Sequence, residues 1–324
     1  MTAGRIIAFL FGAGILIALT VYAGAGGVIR AFEALQFTGL ILIALLHLPV
    51  VGVLGIAWWQ IGRDLPGASR RKFAWARLVR DAAAEVLPFS QIGGFVLGVR
   101  ALHLGGVRAL RGALSMSVDL VMELWAKLPY FLTGLVVLLA IAPNTHLSRA
   151  LPLALVLTAL VVAIPIVFRG RLRQALEASA VAIQRRWPTL DAGDETKAFF
   201  DRIFAQRSRL FAAFALHFAC WTFGTIEAWV IFTLMHVPVS PLQALVIDSL
   251  VMGLRTFGFL VPAAAGVQEA SYVLVCALFG LQPATAVAVS LVRRARDLLI
   301  GVPTLATWQY LETQAAAAAP TVDN

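Results

Sequence analysis

Apolar residues run along the chain in blocks of about 20, the length an α-helix needs to cross the hydrocarbon core of a bilayer. Short segments rich in Lys and Arg separate the blocks. Six blocks predict full spans: residues 5–27, 37–60, 112–141, 150–168, 209–236 and 284–308. Two more apolar regions, 73–106 and 242–280, are interrupted. The first carries Arg77, Arg80, Asp81, Glu85 and Arg100, and Pro88 with Gly93 and Gly94 breaks it. The second carries Asp248, Arg255 and Glu269, and Pro262 with Gly266 breaks it. Each piece beside a break is about 15 residues, too short to span. This predicts two helical hairpins that enter the membrane and return. Irregular backbone at that depth is tolerated only where protein or a wet cavity surrounds it. The expected fold is all-α: a polytopic membrane protein with six spanning helices and two re-entrant hairpins.

A shift of 174 residues superposes the two hairpin regions. Pro88 meets Pro262, Gly106 meets Gly280, and Pro129 meets Pro303. Val99, Leu104, Val118 and Leu124 meet Val273, Leu278, Val292 and Leu298, giving seven identities in 42 ungapped positions. Apolar composition alone accounts for about half of such matches. The order of elements says more: helix, broken hairpin, charged long helix, twice. The halves are about 37–141 and 209–310, in one membrane domain over 1–310. Residues 169–208 form an amphipathic connector, and 311–324 read as a disordered tail. An odd number of spans separates the halves, so they form an inverted repeat. Secondary transporters recur to that construction.

Lys and Arg counts set the orientation. Residues 61–80 hold six and 169–209 hold nine, whereas the opposite loops hold only Arg30 and Arg149. Basic loops stay in the cytoplasm. The chain is expected in a bacterial inner membrane with both termini cytoplasmic, the first hairpin entering from the cytoplasm and the second from the other side. In the connector, Phe199, Phe200, Ile203, Phe204 and Phe211 repeat at helical spacing beside basic residues. Two accounts fit: interfacial helices on an anionic leaflet, or a solvated connector.

Composition narrows the function. Hydrophobic residues make up 60% of the chain and charged ones 13%, against about 25% charged in soluble domains. The net charge of +9 lies in the connecting segments, so it argues for membrane orientation and against a nucleic-acid partner. Cys220 and Cys276 sit in apolar stretches without metal-ligand spacing. No metal and no cofactor is expected; the expected partners are membrane lipids, anionic ones at the basic segments.

The candidate chemistry lies in charges placed where charge is expensive. An unpaired charge at the bilayer centre costs about 3 kcal/mol or more. In SVDLVMELWAKLPY, Asp119, Glu123 and Lys127 form one stripe at four-residue spacing. In VSLVRRARDLLIGVP, Arg293, Arg294, Arg296 and Asp297 cluster mid-span. The repeat sets Asp119 on Arg293 and Glu123 on Asp297. These residues either line a polar cavity for a headgroup or ion, or form ion pairs that lock the halves together. Glu227 is either a proton site or a hydrogen-bonded packing residue. His47 and His217 read as satisfied core histidines. In LVPAAAGVQEASYVL the helix breaks and restarts near Gly266, and a helix N-terminus attracts anions. Glu269 either caps that terminus or faces the cavity. Arg255 is a candidate anion contact, or else pairs with Asp248. The candidate cavity set is Arg255, Glu269, Gly266, Asp119, Glu123, Arg293 and Asp297. No catalytic residue is expected.

PAAAGVQE, followed by LFGLQPATAVAVSLVRRARDLLIG, resembles the C-terminal signature of the lysylphosphatidylglycerol synthase transmembrane (flippase-like) superfamily, Pro-Gly-Gly-x-Gly-x-x-Glu. Pro262, Gly266 and Glu269 match it; Ala263 and Ala264 replace the middle glycines. LPFSQIGGFVLGVRAL looks closer to the hopanoid-biosynthesis-associated members, the HpnL type. The resemblance implies moving or presenting a polar lipid, a hopanoid or hopanoid derivative among the candidates, without aminoacyl transfer, which belongs to a soluble domain not expected here. The rival readings are a scaffold for hopanoid or lipid biosynthesis enzymes and a membrane-embedded headgroup transferase.

Overall fold

The computed structural model describes residues 25–87, 90–141, 193–257 and 266–318, with Gly170 and Gln174 between them. The expected span 150–168, most of span 5–27 and of the connector, Pro88, Pro262 and the last six residues lie outside the described residues. Among the described residues all regular structure is helical. The helices are α1 (Ala25–Gly62), α2 (Arg70–Val86), α3 (Ser90–Leu104), α4 (Ala109–Ile141), α5 (Gly193–Ala205), α6 (Arg207–Leu234), α7 (Pro241–Phe257), α8 (Val267–Ala277) and α9 (Pro283–Ala318).

Glu33–Gly62 of α1, α4 and α6 are each long and apolar enough to cross a membrane. Helix α9, with 36 residues, is long enough, and its charged middle keeps it out of that apolar class. It runs to Ala318, through the first part of the expected tail, and Arg100 of α3 bonds its Glu312. The broken regions are pairs of short helices, 17 and 15 residues for α2 and α3, and 17 and 11 for α7 and α8. None of them reaches across a bilayer.

One expectation needs correction. Gly93 and Gly94 lie inside α3, not in the break. At Gly94 a Cβ would come within 2.6 Å of the Arg80 carbonyl oxygen. The glycine lets α3 pack closely against α2; α2 ends at Val86 and α3 begins at Ser90.

Contacts between α1 and α6 run in opposite order along the two helices. Gly39 packs on Leu234, His47 bonds Glu227, the Cys220 thiol bonds the Val50 carbonyl, and Arg209 bonds Asp64. Helices that occupy the same place in the two halves are therefore antiparallel neighbours. The other contacts between halves are reciprocal. Helix α4 packs on α7, with Gly134 against Ser249 and Gly253 against Phe131. Helix α9 packs on α2, with Gly301 against Ala82 and Val86. Local detail repeats too: the Thr133 hydroxyl donates to the Pro129 carbonyl at 2.8 Å and the Thr307 hydroxyl to the Pro303 carbonyl at 2.9 Å.

This arrangement sorts the loops onto two faces. Residues 63–69, 105–108 and the start of α6 share one face, joined by Arg209–Asp64 and by Gly67 against Gly106. There Arg209 holds the Asp64 carboxyl below its ordinary pKa by hydrogen bonding. Residues 235–240 and 278–282 fall on the other face. Hairpin α2–α3 enters from the first face and hairpin α7–α8 from the second. Helix α5 lies on the first face, where Glu195 pairs with Arg108 and Arg111. Its Phe200 and Ile203 are buried against Ile61, Leu110, Leu114, Val118 and Met122. Protein thus covers the apolar side of α5, which was a candidate to face lipid.

Candidate functional site

A cavity of about 630 Å³ opens between α1, α2, α4, α6, α7 and α9. Its lining includes six cations, Arg77, Arg80, Lys127, Arg255, Arg293 and Arg296. It also includes six carboxylates, Asp81, Glu85, Glu123, Glu227, Asp248 and Asp297. The apolar part of the wall comes from Val50, Leu54, Leu78, Leu120, Met252 and Ile300.

The first half supplies a buried knot. Arg77 and Arg80 lie one helical turn apart on α2, and Glu123 faces both from α4. Glu123 Oε2 accepts from Arg77 at 3.0 Å and from Arg80 at 3.0 and 3.1 Å. Lys127 reaches Glu123 Oε1 at 3.3 Å and stacks over the Trp221 ring at 4.6 Å. Arg77 also bonds Asp81 at 2.8 Å and Asp119 at 3.4 Å. Arg77, Arg80, Asp119 and Glu123 are buried, and only geometry this dense offsets the cost of desolvating them.

The second half reverses the signs. Here the hairpin helix α7 gives the carboxylate, Asp248, and the long helix α9 gives the guanidinium, Arg293, in a close ion pair. Tyr130 of α4 donates to Asp248 at 2.6 Å and thereby ties the halves together. Next to it, Arg296 pairs closely with Glu227 and binds Asp297 at 2.7 Å. His47 of α1 bonds the other Glu227 oxygen at 2.9 Å.

Between the two knots, Arg255 donates to both oxygens of Glu85 at 2.6 Å. Arg255 lies near the end of α7 and Glu85 near the end of α2, so this pair joins the inner ends of the two hairpins. Their side chains keep 20% and 23% exposure, unlike the buried Arg77, Arg80 and Glu123 of the first knot and Asp248 and Arg293 of the second. Arg255 does not pair with Asp248, because Arg293 and Tyr130 already occupy that carboxylate.

Of the residues singled out in the sequence, Arg255, Glu123, Arg293 and Asp297 line this cavity. Asp119 does not. It is fully buried behind the wall, between Arg77 and His217, whose Nε2 is 2.9 Å away. Gly266 and Glu269 are also elsewhere. Gly266 caps α8 with φ 76°, and the Glu269 carboxylate accepts from the Gly266 amide at 2.8 Å. Ser290 and Arg294 of α9 complete its shell at 2.9 and 2.6 Å. Glu269 thus caps its helix and clamps it to α9, filling the N-terminus that was a candidate anion site. The two charged stripes, in equivalent register under the repeat, do not pair with each other: Glu123 on α4 pairs with α2, and the α9 cluster pairs with α6, α7 and α8.

The charged and histidine residues of the cavity that the candidate set left out are Arg77, Arg80, Asp81 and Glu85 on α2, with His47, Glu227, Lys127, Asp248 and Arg296. A signal was there. Two arginines one turn apart on an apolar segment need carboxylates one turn apart on a neighbour, and Asp119 with Glu123 are such a pair. Among the described residues no cluster of His, Cys, Asp and Glu has a metal-binding arrangement.

Helices long and apolar enough to cross a bilayer, packed around a charged internal cavity, define an all-α membrane protein. The chain belongs to the family described as the lysylphosphatidylglycerol synthase TM region, whose model matches residues 5–303. No curated protein and no solved structure matches it.

Proposed function

We propose that this protein moves or presents a polar lipid across a bacterial cytoplasmic membrane, with the headgroup in the cavity and the apolar body left in the bilayer. One observation carries the reading: a cavity of about 630 Å³ lined by twelve charged side chains lies where the two inverted halves meet. Charges in a membrane protein face such a cavity or each other, and here they do both. The partly exposed Arg255–Glu85 pair and Lys127, with 27% exposure, are the groups an entering headgroup would meet first. The Arg293 Nε–H is buried and has no hydrogen-bond partner among the described residues, so an acceptor oxygen would satisfy it.

The family supports a lipid-related role. The HpnL-like first hairpin makes a hopanoid derivative the first lipid to test, with hopanoid-biosynthesis proteins as partners. The loop charges support orientation: Arg63, Arg70, Arg71, Lys72, Arg108 and Arg111 lie on one face, while 235–240 and 278–282 hold no Lys or Arg. The first face is the cytoplasmic one on this reading. The role is not catalytic.

The test is reconstitution of the full chain into liposomes with a headgroup-labelled lipid in one leaflet. Lipid exchange between leaflets that requires the protein supports the proposal. An unchanged distribution, with folded protein in the bilayer, rejects it in favour of a scaffold.

A further inference from the structure

We propose that His47 is a proton-binding site of the cavity and that its protonation state controls the contact between the two halves. Coupling of that proton to lipid movement rests on the headgroup pathway proposed above; the site itself does not.

The tautomer follows from the geometry. Glu227 lies 2.9 Å from Nδ1 of His47. The same carboxylate accepts from Arg296, so it is ionised and offers only lone pairs. Nδ1 must therefore carry the hydrogen. In the neutral ring this leaves Nε2 as a bare base. His47 lines the cavity and its side chain is 25% exposed, so water in the cavity can deliver a proton to it.

His217 provides the contrast. Its Nε2 faces Asp119 at 2.9 Å, so Nε2 carries the hydrogen and Nδ1 is bare. That Nδ1 is buried with no hydrogen-bond partner among the described residues. Protonation there would bury an N–H with nothing to accept it. Of two histidines bonded to carboxylates in the same core, one is built to accept a proton and the other is not.

The charges around His47 supply the driving force. Helix α6 presents Glu227, and α9 presents Arg293, Arg296 and Asp297. Helix α2 presents Arg77, Arg80, Asp81 and Glu85; α4 presents Glu123 and Lys127; α7 presents Asp248 and Arg255. Six cations face six carboxylates, and Asp119 behind the wall makes seven. The separate Glu269–Arg294 pair adds one of each sign and leaves the difference unchanged. Among the described residues the network is one positive charge short, in a region where uncompensated charge is costly. A proton on Nε2 of His47 supplies it.

The position makes the proton consequential. His47 and Glu227 join α1 to α6, the antiparallel pair that relates the two halves. With the proton bound, the contact is an ion pair; with it gone, the neutral ring still donates to the Glu227 carboxylate, and the contact loses its attraction between opposite charges. Histidine is the side chain that ordinarily makes this change between about pH 5 and 8.

The test uses the full chain in lipid nanodiscs with ¹⁵N-labelled histidine, followed by NMR across that pH range. His47→Gln should remove a signal that titrates between about pH 5 and 8. His217→Gln should leave that signal in place. His47→Asn replaces His47→Gln should the latter not fold. A His47 signal that keeps one form across the range overturns the site. In liposomes, a gradient of about one pH unit should change the wild-type rate of lipid exchange by up to about tenfold, the ratio of proton concentrations. His47→Gln should move lipid at one rate with and without the gradient. An equal response by both proteins overturns the coupling. If even the wild type moves no lipid, the headgroup pathway falls, and the NMR titration decides the proton site alone.

Discussion

Gly106 and Gly280, 174 positions apart, make the same turn. Gly106 has φ 93° and donates to the His103 carbonyl, while Val107 donates to that of Leu102. Gly280 has φ 68° and donates to the Ala277 carbonyl, while Leu281 donates to that of Cys276. Each turn delivers the chain from a re-entrant hairpin into a long helix, which starts at Ala109 in one half and at Pro283 in the other. Left-handed backbone here demands glycine, and no atom lies within 4 Å of a Cβ added at either site. Gly106→Ala and Gly280→Ala should therefore each lose about 1–2 kcal/mol from backbone strain alone, read as lowered unfolding midpoints in detergent. Equal midpoints for wild type and both variants would mean that the turns relax.

Gly94 is needed for a different reason, its approach to the Arg80 carbonyl. Gly94→Ala should destabilise the protein by about 1–3 kcal/mol through overpacking. Gly52 is the control, since nothing lies within 4 Å of its added Cβ. Gly52→Ala should change stability by less than about 0.5 kcal/mol or improve it. The same unfolding assay compares the two, and equal effects would contradict the close packing of α2 on α3.

Glu123 is the anion on which Arg77 and Arg80 converge. Among the described residues, Glu123→Ala leaves the buried Arg80 guanidinium with only Asp81, 3.8 Å away, as an ionic partner. The expected loss is about 3–5 kcal/mol. Lys127→Ala removes a partly exposed partner of the same carboxylate and should lose no more than about 1 kcal/mol. Comparable losses would place Glu123 in a wetter setting than the structure gives it.

The two hairpins enter from opposite faces, and labelling single cysteines in intact cells or oriented vesicles tests this. Cysteine at Gly67 or Arg108 should react only with reagent on the cytoplasmic side. Cysteine at Pro238 or Gln282 should react only with reagent on the other. Labelling of all four from one side would contradict the inverted arrangement.

Much of the fold was legible because the bilayer punishes exceptions. Apolar runs of spanning length, charges confined to certain segments and prolines 174 apart each leave a mark in one dimension. Gly93 and Gly94 misled because glycine serves both turns and close packing, and sequence does not separate the two roles. The site was half legible for a similar reason. Arg255, Glu123, Arg293 and Asp297 stood out as intramembrane charges, and all four line the cavity. Asp119 and Glu269 stood out equally and do not: Asp119 is taken up by His217 and Arg77 behind the wall, and Glu269 by Arg294 at the start of α8. Pairing is a property of three-dimensional neighbours, and no spacing within one helix reveals it.

The central claim is that a lipid headgroup occupies the cavity while its apolar body stays outside. A lipid carrying a photoreactive group in its headgroup, cross-linked to the reconstituted wild-type protein and mapped by mass spectrometry, tests this without any substitution. The account predicts adducts on cavity-lining residues such as Leu78, Leu120, Met252 and Ile300. Adducts confined to outward-facing residues such as Leu45, Val136 and Leu274 would contradict it.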